Sequence, residues 1–238
     1  MPARLSEHCW VIELRGVNAY LVADEPETDE DADTEDAERV LTLVDVGSPL
    51  DATRLAREVE ATGHRIEDVE RVLLTHYDID HVGGIGRLDL RDATVYMGAP
   101  DVDYLTGTSA PAVDSPKGAL QRVLAPFART PRVDVETVAD GEEVGSFVVY
   151  ETPGHTAGHV AYVSDHLSAA FVGDLVVESD GDLSPSPWAI SDDTEAVTES
   201  IHDLADRMPA VEILGMGHGV PFMRNGSVRL AELGERIE

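Results

Sequence analysis

Thr75-His76-Tyr77-Asp78-Ile79-Asp80-His81-Val82-Gly83-Gly84 decides how this 238-residue chain is read. It follows the apolar run Val72-Leu73-Leu74, which predicts a buried strand, and it ends in paired glycines that permit a sharp turn. Four side chains able to bind a metal, His76, Asp78, Asp80 and His81, fall within six residues. In an extended backbone, residues i and i+2 point to the same side. This predicts that His76, Asp78 and Asp80 converge, and that His81 joins them as the chain turns. Imidazoles mixed with carboxylates suit a divalent first-row metal. The plain alternative is a polar loop with solvated histidines, and the rest of the chain weighs against it.

Further metal-capable turns follow other predicted strands. Val144 to Glu151 reads as a strand delivering Thr152-Pro153-Gly154-His155-Thr156-Ala157-Gly158-His159. Ala169-Ala170-Phe171-Val172 ends in Gly173-Asp174, and Val211-Glu212-Ile213-Leu214 runs into Gly215-Met216-Gly217-His218-Gly219. Earlier, the strand Arg39 to Asp45 turns at Val46-Gly47-Ser48.

These strings together resemble the metallo-β-lactamase-fold hydrolases over most of the chain. The usual first motif of that family, Thr-His-X-His-X-Asp-His, is matched at Thr75, His76, Asp80 and His81, with Asp78 where the second histidine is expected. The resemblance implies an α/β (α+β) chain folded as an αββα sandwich, with the site at one edge between the sheets. It implies that His76, His155 and Asp78 hold one metal and that Asp80, His81 and His218 hold the other, bridged by Asp174. Asp45 would support the metal loop, and His159 would support the site without ligating. Two zinc ions are the implied cofactor. The added carboxylate at 78 widens tolerance to iron or manganese, and Asp78→His is expected to retain binding. Metal-activated water would attack an ester, thioester, lactone or related bond, with Asp80 orienting the nucleophile and Asp174 bridging.

Two other functions fit the same residues. A sulfur dioxygenase-like enzyme would bind a single non-haem iron through His76, His155 and Asp174. A non-catalytic metal-binding protein would leave no coordination position open to water. Among hydrolases, Val177 stands where acyl-homoserine lactonases place a tyrosine. Twenty residues follow His218, fewer than glyoxalase II enzymes carry.

Charge bounds the partners. The chain has 47 Asp plus Glu against 17 Lys plus Arg, a formal net charge of −30, and Lys117 is its only lysine. No basic patch is available to neutralise phosphates, so a small-molecule substrate is expected, with neither nucleic acid nor membrane as partner. The spread of acids predicts a high-salt protein, because screening at about 1 M reaches only about 3 Å but extends to about 30 Å at 0.01 M. Melting temperature is accordingly expected to fall as salt is lowered from molar to millimolar, and an unchanged midpoint in dilute buffer would remove this reading. Met1 to Glu7 shows no apolar signal region, which predicts a cytoplasmic protein.

A single domain over 1–238 is expected. Within it, Asp24 to Glu38 holds ten acids in fifteen residues and predicts a solvated acidic loop over 24–38. Residues 101–131, with prolines at 111, 116, 126 and 131, are a candidate substrate lid with a short helix over 119–129. Helices are predicted over 51–62 and 191–208, the latter capped by Asp192 and Glu195, with His202 on its surface.

Overall fold

Between Asn18 and Asp24, alternate side chains enter different cores. Ala19 and Leu21 pack toward a helical layer, whereas Tyr20 and Val22 pack toward a second sheet. A strand covered on both faces is apolar without interruption, and every residue of this one is buried.

The computed structural model describes residues 1–24, 39–111, 116–124 and 130–237. Its first sheet has seven strands in chain order: β1 (Ala3–Arg4), β2 (Cys9–Glu13), β3 (Asn18–Asp24), β4 (Val40–Val44), β5 (Val69–Leu74), β6 (Thr94–Gly98) and β7 (Asp134–Val138). Pairing is antiparallel from β1 to β4 and parallel from β4 to β7. Parallel neighbours need crossovers. These carry α1 (Ala52–Glu60), the single turn α2 (Ile79–Val82), α3 (Asp101–Thr106) and α4 (Pro116–Leu124).

The second sheet contains β8 (Glu143–Val144), β9 (Phe147–Glu151), β10 (Val160–Ser164) and β11 (Ala169–Phe171). A hairpin, β12 (Val176–Ser179) and β13 (Asp182–Pro185), and helix α5 (Thr194–Arg207) precede its last strand, β14 (Ile213–Gly215). The order is β14-β11-β10-β9-β8. Helix α6 (Gly226–Gly234) follows.

Three apolar layers separate four structural ones. Leu55 and Val59 of α1 pack with Leu43, Val72 and Leu74 on the outer face of the first sheet. Tyr20, Val44, Leu73, Phe147, Val149, Tyr162 and Phe171 fill the space between the sheets. Val197, Ile201 and Leu204 of α5, with Leu230 and Leu233 of α6, cover the second sheet. The result is an αββα sandwich.

Several expectations are corrected. The strand predicted over 144–151 breaks at Gly145 (φ +61°), so Val144 and Phe147 face each other across a tight hairpin. Asp193, not Asp192, caps α5: its carboxylate accepts from the amides of Glu195 (3.0 Å) and Ala196 (3.1 Å). His202 is half-buried, not a free surface residue, and its Nε2 bonds the Gly234 carbonyl at 2.8 Å, tying α5 to α6. The helix predicted from 119 begins at Pro116, where proline suits a first helical turn. Residues 25–38 of the acidic loop, and 112–115 and 125–129 of the candidate lid, lie outside the described residues.

Candidate metal centre

The turns singled out in the sequence meet at one edge of the two sheets. Val160 N–H donates to the Thr75 carbonyl (2.9 Å), joining the first motif to the second sheet. Gly217 N–H donates to the Gly173 carbonyl (2.8 Å), and Asn18 N–H donates to that of Gly217 (2.8 Å). The Asn18 side chain and Tyr20 hydroxyl both donate to the Met216 carbonyl, at 3.1 and 2.7 Å. The loop carrying His218 is therefore clamped by β3. Glycine is required at 217, because a Cβ there would lie 2.1 Å from Asp174 Oδ1 and 2.6 Å from His81 Cε1.

The extended alternation predicted for 76, 78 and 80 ends at Asp78 (φ −126°, ψ 147°). Asp80 and His81 instead project from the helical turn α2. A turn of helix brings adjacent residues to the site that an extended strand would place on opposite faces.

The imidazoles of His76, His81, His155 and His218 are each held by Nδ1. That of His76 bonds Thr75 Oγ1 (2.9 Å), that of His81 bonds Asp45 Oδ2 (2.8 Å), that of His155 bonds Ser186 Oγ (2.8 Å) and that of His218 bonds the Gly16 carbonyl (2.6 Å). An acceptor at Nδ1 selects the tautomer that turns the Nε2 lone pair inward. His159 differs. Its Nδ1 bonds Thr152 Oγ1 (2.8 Å) and its Nε2 accepts from Asp174 N–H (3.2 Å), so neither nitrogen is left for an ion.

Carboxylates complete the cluster. Asp174 Oδ1 lies 3.4 Å from His81 Nε2, and Oδ2 lies 3.2 Å from His218 Nε2 and 3.7 Å from His155 Nε2. Asp78 Oδ2 is 2.9 Å from His155 Nε2 and 3.5 Å from His76 Nε2. Asp80 Oδ2 lies 3.6 Å from His218 Nε2 and is the most exposed of these groups, at 42%. Burial alone would raise the Asp174 carboxyl, but His81 and His218 outweigh it and hold it well below the usual range. Burial would likewise raise Asp78, and the neighbouring His155 and His76 together with the Lys117 ammonium hold it down. Burial, reinforced by His81, lowers His76 to about 4, so this ring stays neutral.

Some supporting residues were not singled out by sequence reasoning. Buried Asp101 accepts from Tyr77 N–H (2.7 Å) and Gly158 N–H (3.0 Å), pinning the first motif to the His155 turn. Lys117 and Gln121 of α4 both reach Asp78. Ser186, which orients His155, comes from the end of the hairpin β12–β13. The one available signal was Lys117, a lone lysine in a chain that otherwise uses arginine.

The fit to metal rests on orphaned atoms. His76 Nε2, His81 Nε2 and Asp174 Oδ1 are buried without a hydrogen-bond partner. Such groups normally find partners. Here they lie within ligand reach of one another, and two further trios, His76/Asp78/His155 and Asp80/His81/His218, do the same. Imidazole nitrogens beside carboxylates form a donor set for a divalent cation.

Comparison with known proteins agrees. The metallo-beta-lactamase superfamily profile matches residues 13–218, and this chain belongs to that superfamily. The chain is 29% identical to the probable metallo-hydrolase YflN of Bacillus subtilis (strain 168), over 82% of this chain and 81% of that protein. It is 32% identical to a hydroxyacylglutathione hydrolase of Bradyrhizobium sp. (strain ORS 278), over 53% of this chain and 40% of that one. Among solved structures, TTHA1623 in a di-iron-bound form superposes with a TM-score of 0.62 at 25% identity, covering 99% and 97% of the two chains. The metallo-beta-lactamase SMB-1 gives 0.68 at 22% identity, covering 99% and 93%. The chain is a hydrolase of this superfamily.

Proposed function

We propose that this protein is a binuclear metallohydrolase acting on a small ester, thioester or lactone. His76, Asp78 and His155 would hold one divalent ion, and Asp80, His81 and His218 the other, with Asp174 between them. The observation that carries this reading is the set of buried, partnerless atoms on His76, His81 and Asp174 at the centre of the cluster. Zinc suits the imidazole-rich set, and the extra carboxylate at 78 also admits iron or manganese. When bound, such ions lower the pKa of water and polarise a scissile carbonyl.

The chain supplies orientation and proton management. The Nδ1 bonds to Thr75, Asp45, Ser186 and Gly16 keep the rings from rotating. Asp80 is partly exposed and lies beside His218, so it can accept a proton from the attacking water and orient it toward substrate. His76, His81 and His155 are buried, which limits competing solvent.

The test is a panel of ester, thioester, lactone, phosphodiester and persulfide substrates, run on metal-quantified protein in high salt. Hydrolysis with two metals per chain supports the proposal. Oxygen consumption on a persulfide with a single iron would replace it with a dioxygenase. Asp78→Ala is expected to weaken metal binding by about tenfold or more. Chelator competition reads this directly, and an unchanged affinity would remove Asp78 from the ligand set.

A further inference from the structure

We infer that Lys117 is the charge partner of Asp78, a positioning residue that makes a carboxylate at this place compatible with a second carboxylate, Asp174, close by. The inference rests on reading Asp78 as a metal ligand. Lys117 is the only lysine in the chain and is buried. Its Nζ lies 3.2 Å from Asp78 Oδ2 and donates to the His155 carbonyl at 2.6 Å. Gln121, one helical turn further along α4, donates to Asp78 Oδ1 and to the Tyr77 carbonyl. Residues four apart share a helix face. One face of α4 therefore grips both oxygens of Asp78, and Oδ2 stays aimed between His76 and His155.

A buried ammonium is costly unless paired and hydrogen-bonded. A chain with a −30 charge has arginine for its surface, so a lone buried lysine at the metal cluster is not surface tuning. Its compact charge cancels that of Asp78. The His76/Asp78/His155 trio then presents a dication with about the net charge of neutral imidazoles alone. If α4 merely needed a tether, the bond to the His155 carbonyl would serve without contact to Asp78.

Placing histidine at 78 by itself is therefore not expected to preserve binding, contrary to the motif-based expectation. Asp78→His leaves the ammonium facing a neutral ring with no carboxylate to pair.

The experiment compares wild type, Asp78→Ala, Asp78→His, Lys117→Met and the Asp78→His/Lys117→Met double variant. Each is stripped by chelation and titrated with zinc in high salt, reading affinity by chelator competition. Melting of the metal-free and zinc-loaded forms is read alongside. Asp78→His should weaken zinc binding by about tenfold or more, and the added Lys117→Met should restore it to within about threefold of wild type. Lys117→Met alone should lower melting of the metal-free protein more than of the zinc-loaded protein, because zinc supplies the missing positive charge. A double variant as weak as the product of the single effects would overturn the charge-partner role and leave Lys117 as a tether. Zinc affinity unchanged in Asp78→Ala would instead overturn the ligand reading of Asp78, and this inference with it.

Discussion

Asp174→Asn is expected to lose metal and hydrolytic activity together. The substitution keeps shape and the backbone N–H bond to His159 Nε2. It removes the negative charge that faces His81 at 3.4 Å and His218 at 3.2 Å. It also places an amide whose N–H₂ group cannot ligate where a buried oxygen now has no partner. Loss of a ligand should exceed the roughly 10–100-fold cost of losing a group that only orients one. Metal content by elemental analysis and turnover on the best substrate of the panel give the two readouts. Two metals per chain with normal turnover in this variant would remove Asp174 from the ligand set. His202→Ala is the matched control. It breaks the bond to the Gly234 carbonyl and should cost about 1 kcal/mol of stability. Its metal content should not change.

Asp45→Ala is expected to have the larger effect on stability. Asp45 is buried, adopts φ +55°, and its carboxylate accepts from Thr75 N–H (3.0 Å), Thr75 Oγ1 (2.9 Å) and His81 Nδ1 (2.8 Å). Removing the acceptor strands buried donors at about 1–3 kcal/mol each. Aspartate tolerates this left-handed backbone better than alanine does, which adds to the cost. Together these predict a melting temperature lower by about 10 °C or more for a chain of this size. Zinc affinity should fall with it, because His81 loses the partner that selects its tautomer. Asp45→Gly relieves only the backbone strain and should recover only that part. A melting temperature within about 2 °C of wild type for Asp45→Ala would refute this account.

The αββα architecture and most of the cluster were legible because their signals are local. Val72-Leu73-Leu74, Ala169-Ala170-Phe171 and Ile213-Leu214 are short apolar runs, and each is followed at once by a polar turn holding His76, Asp174 or His218. A strand buried on both faces must be apolar throughout, and its exit is where polar groups can gather. The superfamily resemblance joined those turns into one site.

Other features depended on contacts between distant parts of the chain. The break at Gly145 and the hairpin β12–β13 separate short strands that carry weak periodic signals. His202 reads as an exposed helix residue until α6 packs against it. Asp101 is an ordinary acidic residue in sequence, and becomes a clamp only where Tyr77 and Gly158 meet. Lys117 was visible as the sole lysine, but its role required α4 to fold over Asp78. Residue types in those turns marked the side chains chemically able to ligate, and the family resemblance implied that they act together. Tertiary packing decided which groups orient and neutralise them, because those bonds join residues that only the closed sandwich brings within hydrogen-bonding distance.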